Sequence, residues 1–276
     1  MFPAPIADHL TDILSTRILR VTPVGGGTIN RVATVTTADE ILFLKWQLDA
    51  PPGAFRAEAD GLSALGGAST IRTPTVRAVA ERLDARGLGY LALEYLPDTP
   101  PRDPAAFTRR FAEELAALHR PKPASFGWPE DNYLGITPQA NLPRSDDWAE
   151  FFLRCRLLPQ IDRARSGGRL TPEREALLSG VAERTPDLLA DIPPEVSLIH
   201  GDLWSGNFLC AAMGDPVLID PAAYDGHREM EMAYVELFGG FPPGFMAAYQ
   251  SAWPLDAGYV GRRPLHQLYH LVNHLN

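Results

Sequence analysis

The chain has 276 residues, 45% of them hydrophobic, enough to bury a large core as one domain or as two lobes. Its 34 acids outnumber 25 bases for a net charge of −9, which excludes a duplex nucleic-acid binder and a polybasic membrane anchor. No run reaches the roughly 18 apolar residues of a spanning helix, and the first residues lack the basic segment of a secretory signal. The charge is uneven: 9 bases and 10 acids lie up to Leu96, against 16 and 24 beyond it. Only two cysteines occur, Cys155 and Cys210, both among apolar neighbours. They read as core thiols of a reduced, soluble, cytoplasmic protein with neither disulfide nor zinc spacing.

In chain order, Leu19–Val24 reads as a short strand, broken by Gly25, Gly26 and Gly27. Val32–Thr36 and Ile41–Trp46 follow as strands, the second a dense apolar run around Lys45. Phe55, Ala59, Leu62 and Leu65 repeat at helical spacing and predict a helix over Ala54–Leu65, closed by Gly66 and Gly67. Two more strands, Val76–Val79 and Leu88–Leu96, complete a mostly antiparallel sheet with one helix, and prolines from Pro97 onward end this region. Domain boundaries are therefore expected at 1–96 and 97–276. The second part reads as largely helical, with amphipathic segments at Phe107–His119, Trp148–Ile161, Glu173–Thr185 and Leu265–Asn276. Pro121–Pro143 is its longest irregular stretch. Two short strands, Ser197–His200 and Pro216–Asp220, flank a polar loop and predict a small hairpin carrying a site.

That loop reads His200-Gly201-Asp202-Leu203-Trp204-Ser205-Gly206-Asn207. Its aspartate and asparagine stand five residues apart, as in the kinase catalytic loop, where the Asp accepts the substrate hydroxyl proton and the Asn holds Mg²⁺. Val217-Leu218-Ile219 then delivers Asp220 at a strand end, in place for a second metal ligand; alone, a strand-end Asp is more often a turn cap. Lys45 sits in a chain of 23 arginines and only two lysines, on an apolar strand where it could grip phosphates or simply snorkel to water. Glu58, on the following helix, is placed to pair with it. Gly25, Gly26, Gly27 and Thr28 read as a turn whose backbone could approach phosphate oxygens, although taken alone three glycines are better explained by an ordinary hairpin turn. Glu94, Tyr95 and Leu96 end the last strand of the first region, where a hinge would offer backbone groups to adenine.

The HGDLWSGN loop resembles that of the fructosamine (ketosamine) kinases, within the aminoglycoside phosphotransferase-like group of protein-kinase-like folds. Phe126-Gly127, Asp131–Gly135, Pro138–Asn141, Asp220–Ala222 with Tyr224 and Gly226–Glu229, Glu236–Gly240 and Tyr269–Leu271 resemble the same family, so the likeness spans nearly the whole chain. The resemblance implies an α+β, bilobal protein-kinase-like fold and phosphorylation of a ketosamine sugar hydroxyl with ATP and Mg²⁺, reversing glycation. Asp202 would be the base, Asn207 and Asp220 the metal ligands, Lys45 with Glu58 the phosphate grip, and Trp204 a stacking surface for the sugar. His200, His227 and Arg228 would brace the loops. Thr28 replaces a cysteine found in some relatives, Asp225 a tyrosine and Glu231 an aspartate; the chain also ends in a helix where relatives continue, which implies truncation. A kinase of an aminoglycoside, choline or homoserine shares every catalytic residue, and an inactive nucleotide-binding module is a rival of another class. A Rossmann oxidoreductase ranks third, because the glycines lie in a hairpin and not at a strand-to-helix turn. Oligomeric state is not encoded in any of these features.

Overall fold

A computed structural model describes residues 2–25, 30–120 and 123–276. Gly26, Gly27 and Thr28 of the glycine turn therefore lie outside the described residues. The first part is a five-stranded antiparallel sheet of β1 (Ile18–Pro23), β2 (Arg31–Thr37), β3 (Ile41–Gln47), β4 (Val76–Ala80) and β5 (Gly89–Glu94), in the order β1-β2-β3-β5-β4. Alternation along β3 decides which helix covers which face. Leu42, Leu44 and Trp46 pack on one side with Ile6 and Leu10 of α1 (Ala4–Leu14). Phe43 packs on the other with Phe55, Ala59 and Leu62 of α2 (Ala54–Gly67). Two helices thus cover the sheet where the sequence reading had one. Ile6 and Leu10 carried the signal for α1 at a spacing of four residues, but prolines at positions 3 and 5 masked so short a helix.

The remainder is mainly helical. It holds α3 (Pro104–His119), α4 (Trp148–Phe151), a six-residue π-helical segment (Phe152–Leu157), α5 (Leu158–Ser166), α6 (Pro172–Leu188), α7 (Arg228–Phe238), α8 (Phe245–Ala252) and α9 (Tyr259–Leu275). Asp103, Asp147 and Thr171 cap α3, α4 and α6 through side-chain oxygens that accept backbone N–H groups. The irregular stretch after α3 contains a hairpin, β6 (Asn132–Leu134) with β7 (Thr137–Gln139). Cys155 and Cys210 are buried and unpaired with each other, as expected.

The predicted site hairpin is rearranged. The strands on either side of the polar loop, β8 (Ser197–Ile199) and β10 (Asp215–Leu218), do not pair together. β10 pairs with β9 (Phe208–Ala211), and β8 with β11 (Tyr224–Gly226), so the loop lies between two small ribbons. Short strands lack the length to specify a partner by pattern alone, and β9 and β11 are too short to stand out in the sequence. Backbone hydrogen bonds tie the ribbons into one frame: Ile219 N–H donates to Asn207 O at 3.0 Å and Ala222 N–H to His200 O at 3.0 Å.

Candidate active site

β3 brings Lys45 inward on the α2 side, where its side chain is almost fully buried. A bare ammonium there would be costly, so partners are needed. Glu58 of α2 forms an ion pair with it, and Asp220 Oδ1 accepts from Lys45 Nζ at 3.0 Å. Burial alone would lower the Lys45 pKa, but the carboxylates of Asp220 and Glu58 outweigh it and hold the ammonium charged above its usual range. Burial pushes the Glu58 carboxyl up to about 7 against the pull of Lys45.

This pairing requires α2 to approach the segment after Asp220, and Gly61 permits it. A Cβ at Gly61 would sit 3.2 Å from Pro221 and 3.3 Å from Ala223. The same segment is held from below by a chain of amides. Asn132 Nδ2 donates to Ala223 O, Gln139 Nε2 to Ala222 O and to Asn132 Oδ1, and Asn141 Nδ2 to Asn132 Oδ1, all between 2.8 and 3.1 Å. Much of the Asp131–Gly135 and Pro138–Asn141 pattern is thereby a support for Asp220, whose own backbone takes a left-handed φ of 54°.

The loop itself is internally braced. His200 Nε2 donates to Ile219 O at 2.8 Å, and its Nδ1 accepts from Asp202 N–H at 3.2 Å. Both ring nitrogens are committed, burial lowers the pKa, and the neutral ring is a strut and not a base. Asn207 Nδ2 donates to Asp202 O at 2.8 Å and Asp202 Oδ2 at 3.2 Å. Burial is the main cause that lifts the Asp202 carboxyl to about 7, with the nearby Tyr234 hydroxyl and the Asn207 amide pulling the other way. Glu231 accepts from Gly201 N–H at 2.8 Å, and its other oxygen meets His119 at 2.8 Å. The larger side chain at 231 thus spans from α7 to both the loop and α3. Asp225 pairs with Arg144 at 2.6 Å, which accounts for an acid at that place. His227 and Arg228 brace as expected: His227 contacts Pro193 O, and Arg228 binds Glu195 and the carbonyls of Trp253 and Pro254.

Lys45, Glu58, Asp202, Trp204, Asn207 and Asp220 line one cleft of 410 Å³. Asp202 and Trp204 also line a second cavity of 680 Å³. Trp204 is 41% exposed, so it is not a core residue; its ring lies over Gly206, where a Cβ would come within 2.4 Å of it. Glu94 is turned away: its carboxylate takes Arg72 at 2.6 Å and Thr75, behind the sheet. The N–H groups of Glu94 and Tyr95 are bound to Thr75 and Ile41, leaving that of Leu96 without a partner among the described residues. Gly25 has open space around it. Asp220 Oδ2 and Asn207 Oδ1 accept no hydrogen bond among the described residues, and both side chains border the cleft. Two hard oxygens beside a phosphate-sized space fit Mg²⁺, which takes few protein ligands and keeps the rest for phosphates and water. Among the described residues no cluster of three or more His, Cys, Asp or Glu forms a closed metal cage.

Tyr234 and Glu231 escaped the sequence reading as site residues. Tyr234 stacks on His270 with ring centroids 3.6 Å apart and planes 4° from parallel, and burial, with the charge of Asp202 beside it, raises the pKa of its hydroxyl. Helical spacing from Glu231 to Tyr234 on one face was the available signal.

A strand lysine paired to a helix glutamate, facing an Asp-x4-Asn loop across a cleft, on this sheet-and-helix architecture, defines a protein-kinase-like phosphotransferase. Aminoglycoside phosphotransferase APH(4)-Ia shares the fold at a TM-score of 0.67 and 15% identity, over 98% of this chain and 92% of that one. Closer relations are specific. The family model of fructosamine kinase matches residues 4–276, and the chain belongs to that family. A probable ketoamine kinase of Synechocystis is 39% identical over 267 residues, covering 94% of this chain and 85% of its own. The chloroplastic protein-ribulosamine 3-kinase of Arabidopsis thaliana is 34% identical, over 97% and 80%. A crystal structure from Thermobifida fusca, assigned as a fructosamine-3-kinase, superposes at a TM-score of 0.84 with 37% identity, over 98% and 91%. No helix among the described residues is long and apolar enough to cross a membrane.

Proposed function

We propose that this protein transfers the γ-phosphoryl group of ATP to a sugar hydroxyl of a ketosamine, such as fructosyl-lysine or a ribulosamine. The observation that carries this reading is the position of Asp202 and Trp204, which border both the Lys45 cleft and the second cavity. A donor on one side and an acceptor on the other would meet at the Asp202 carboxylate.

In this reading residues 1–96 bind the nucleotide and residues 97–276 carry the catalytic loop and the acceptor site. Lys45, steadied by Glu58, grips phosphate oxygens, and the N–H of Leu96 meets the adenine edge. Asn207 and Asp220 would hold Mg²⁺, which when bound supplies charge neutralisation for the phosphates. Asp202 orients the acceptor hydroxyl and takes its proton as the oxygen bonds to phosphorus and ADP leaves. Trp204 offers its face to the sugar. Positioning and fixed charge supply most of the rate enhancement, and a buried base near neutrality suits the proton transfer.

An ATP-consumption assay with fructosyl-lysine, ribulosyl-lysine and kanamycin tests the acceptor. Turnover of kanamycin with neither ketosamine would replace it with an aminoglycoside. Asp202→Ala should cut turnover by about 10²–10⁴-fold, the usual share of a general base, while ATP still binds. Full activity in that variant would remove Asp202 from its role.

A further inference from the structure

What the amine carries is a separate question from which sugar is phosphorylated, and the second cavity bears on it. Trp204, Tyr234 and Phe238 form an aromatic wall beside Asp202. The lining continues through His274 of α9, whose ring meets Phe238 edge-on with centroids 4.9 Å apart, to Asn273 of α9 and Arg163 of α5. Gln160, one helical turn before Arg163, donates to Asn273 Oδ1 at 3.1 Å and accepts from Asn276 Nδ2 at 2.7 Å. That contact clamps α5 to α9 and fixes where the Arg163 stem leaves the helix.

The exposed Arg163 guanidinium makes no ion pair and no side-chain hydrogen bond among the described residues. Its neighbour Arg165 engages both Asp162 and Glu175, so the nearby acids are already matched. Asp202 is the one other cavity-lining side chain of opposite formal charge, and the reaction claims it. The cavity therefore offers two chemistries: a carboxylate and aromatic faces suited to a sugar, and an unmatched planar cation on α5. In a chain of net charge −9, with Glu58, Asp202 and Asp220 gathered nearby, an anionic acceptor gains nothing from the general field. Arg163 is the feature that would favour one.

Resting on the ketosamine-kinase reading, we infer that the acceptor carries a carboxylate bound by Arg163: the ketosamine of a free amino acid, in preference to one within a polypeptide. The guanidinium fork matches a carboxylate through two parallel N–H···O bonds, and such charge-assisted bonds are the strong ones. With the sugar hydroxyl at Asp202, the amine substituent extends along the cavity toward α5. A phosphate on the sugar would satisfy the same fork, so the test must separate the two sources of anion.

Three acceptors do so: Nε-fructosyl-Nα-acetyl-lysine with its free carboxylate, its carboxamide, and the carboxamide bearing a phosphate on the sugar. The wild-type KM should be about tenfold lower for the acid than for the carboxamide at similar kcat, a difference of about 1.4 kcal/mol. Arg163→Ala should raise the KM of the acid to that of the carboxamide and leave the carboxamide, the KM for ATP and the thermal midpoint unchanged. Equal KM values for acid and carboxamide, or an equal loss for both in the variant, would overturn the inference while the ketosamine-kinase reading stands. An Arg163-dependent gain confined to the sugar phosphate would assign the cation to phosphate and overturn the carboxylate. Turnover of none of the three would bring down the underlying reading together with this one.

Discussion

The two parts of the molecule place their polar groups differently. In the sheet part, Thr37 and Lys45 are the buried polar residues among those described, and Lys45 alone carries charge. The helical part is threaded with them: His119, Arg156, His200, Glu229, Glu231, Arg262 and His266 are all buried, and most are satisfied by one another. Arg156 shows the manner. Its guanidinium lies 3.8 Å from the Tyr224 ring centre and donates to Asn141 Oδ1 at 2.8 Å and to backbone carbonyls. A sheet gains rigidity from its ladder, so one charged side chain can be presented from an apolar strand. Short loops between small ribbons have no such ladder, and here side-chain hydrogen bonds do the same work. The difference teaches that the Asp202 loop is built by polar packing and the setting of Lys45 by hydrophobic packing.

The sharpest way to break this comparison is Glu231→Ala. It leaves the Gly201 N–H and the His119 ring without an acceptor in a dry interior. A buried orphan costs about 1–3 kcal/mol each, so a loss of about 3 kcal/mol is expected by denaturant titration, with kcat falling as the loop loosens. Glu231→Gln, which keeps an oxygen for Gly201, should recover much of the stability. An alanine variant as stable as wild type would mean that backbone pairing between the ribbons holds the loop unaided.

The same contrast explains what could be read from the sequence. Apolar alternation and helical spacing located all five strands of the sheet and α2, because each presents a continuous apolar face to a core. Lys45 and Glu58 could be paired in advance because one charge on an apolar strand needs an answer nearby. In the helical part, a buried Glu231 or His270 looks like a solvated residue of an amphipathic helix, since period alone does not reveal whether a polar side chain points to water or to a partner. The pairing of β8 with β11 was likewise hidden, being set by the frame around three-residue strands. Glu94 shows the opposite limit: its position at a strand end was legible, while the turn of its side chain toward Arg72 depends on a residue 22 places earlier.

Acid should act first on the helical part. Burial lowers the pKa of His200, His227, His266 and His270, His227 to about 3. Each folded value lies below the unfolded value near 6.5, so below that pH the unfolded chain binds more protons and stability falls as pH falls. Asp202 and Glu58, raised to about 7, and Asp225, raised to about 6, act in the opposite sense over part of the same window. A difference measurement isolates one group. His270→Phe keeps a ring against Tyr234 and removes a titrating nitrogen that has no partner among the described residues. Between pH 6.5 and 5 its stability should fall less steeply than that of wild type, by up to about 1.4 kcal/mol per pH unit. Parallel curves would place the proton uptake elsewhere.

The smallest expected effect discriminates most finely. Tyr234→Phe removes only the hydroxyl at Asp202 and retains the stack on His270 and the edge contact to Phe238. If polar packing in the helical part serves only the fold, stability should drop by up to about 1 kcal/mol, the scale of one polar contact, and kcat should hold. The geometry favours the other outcome, because the hydroxyl lies near the carboxylate proposed to take the proton and both residues line the second cavity. We expect kcat to fall about fivefold, equivalent to about 1 kcal/mol of transition-state stabilisation, with the KM for ATP unchanged and the midpoint of unfolding nearly so. A KM for ATP that rises with kcat intact would instead tie this tyrosine to the nucleotide side, and the line between a hydrophobically built grip and a polar-built loop would have to be redrawn through Asp202 itself.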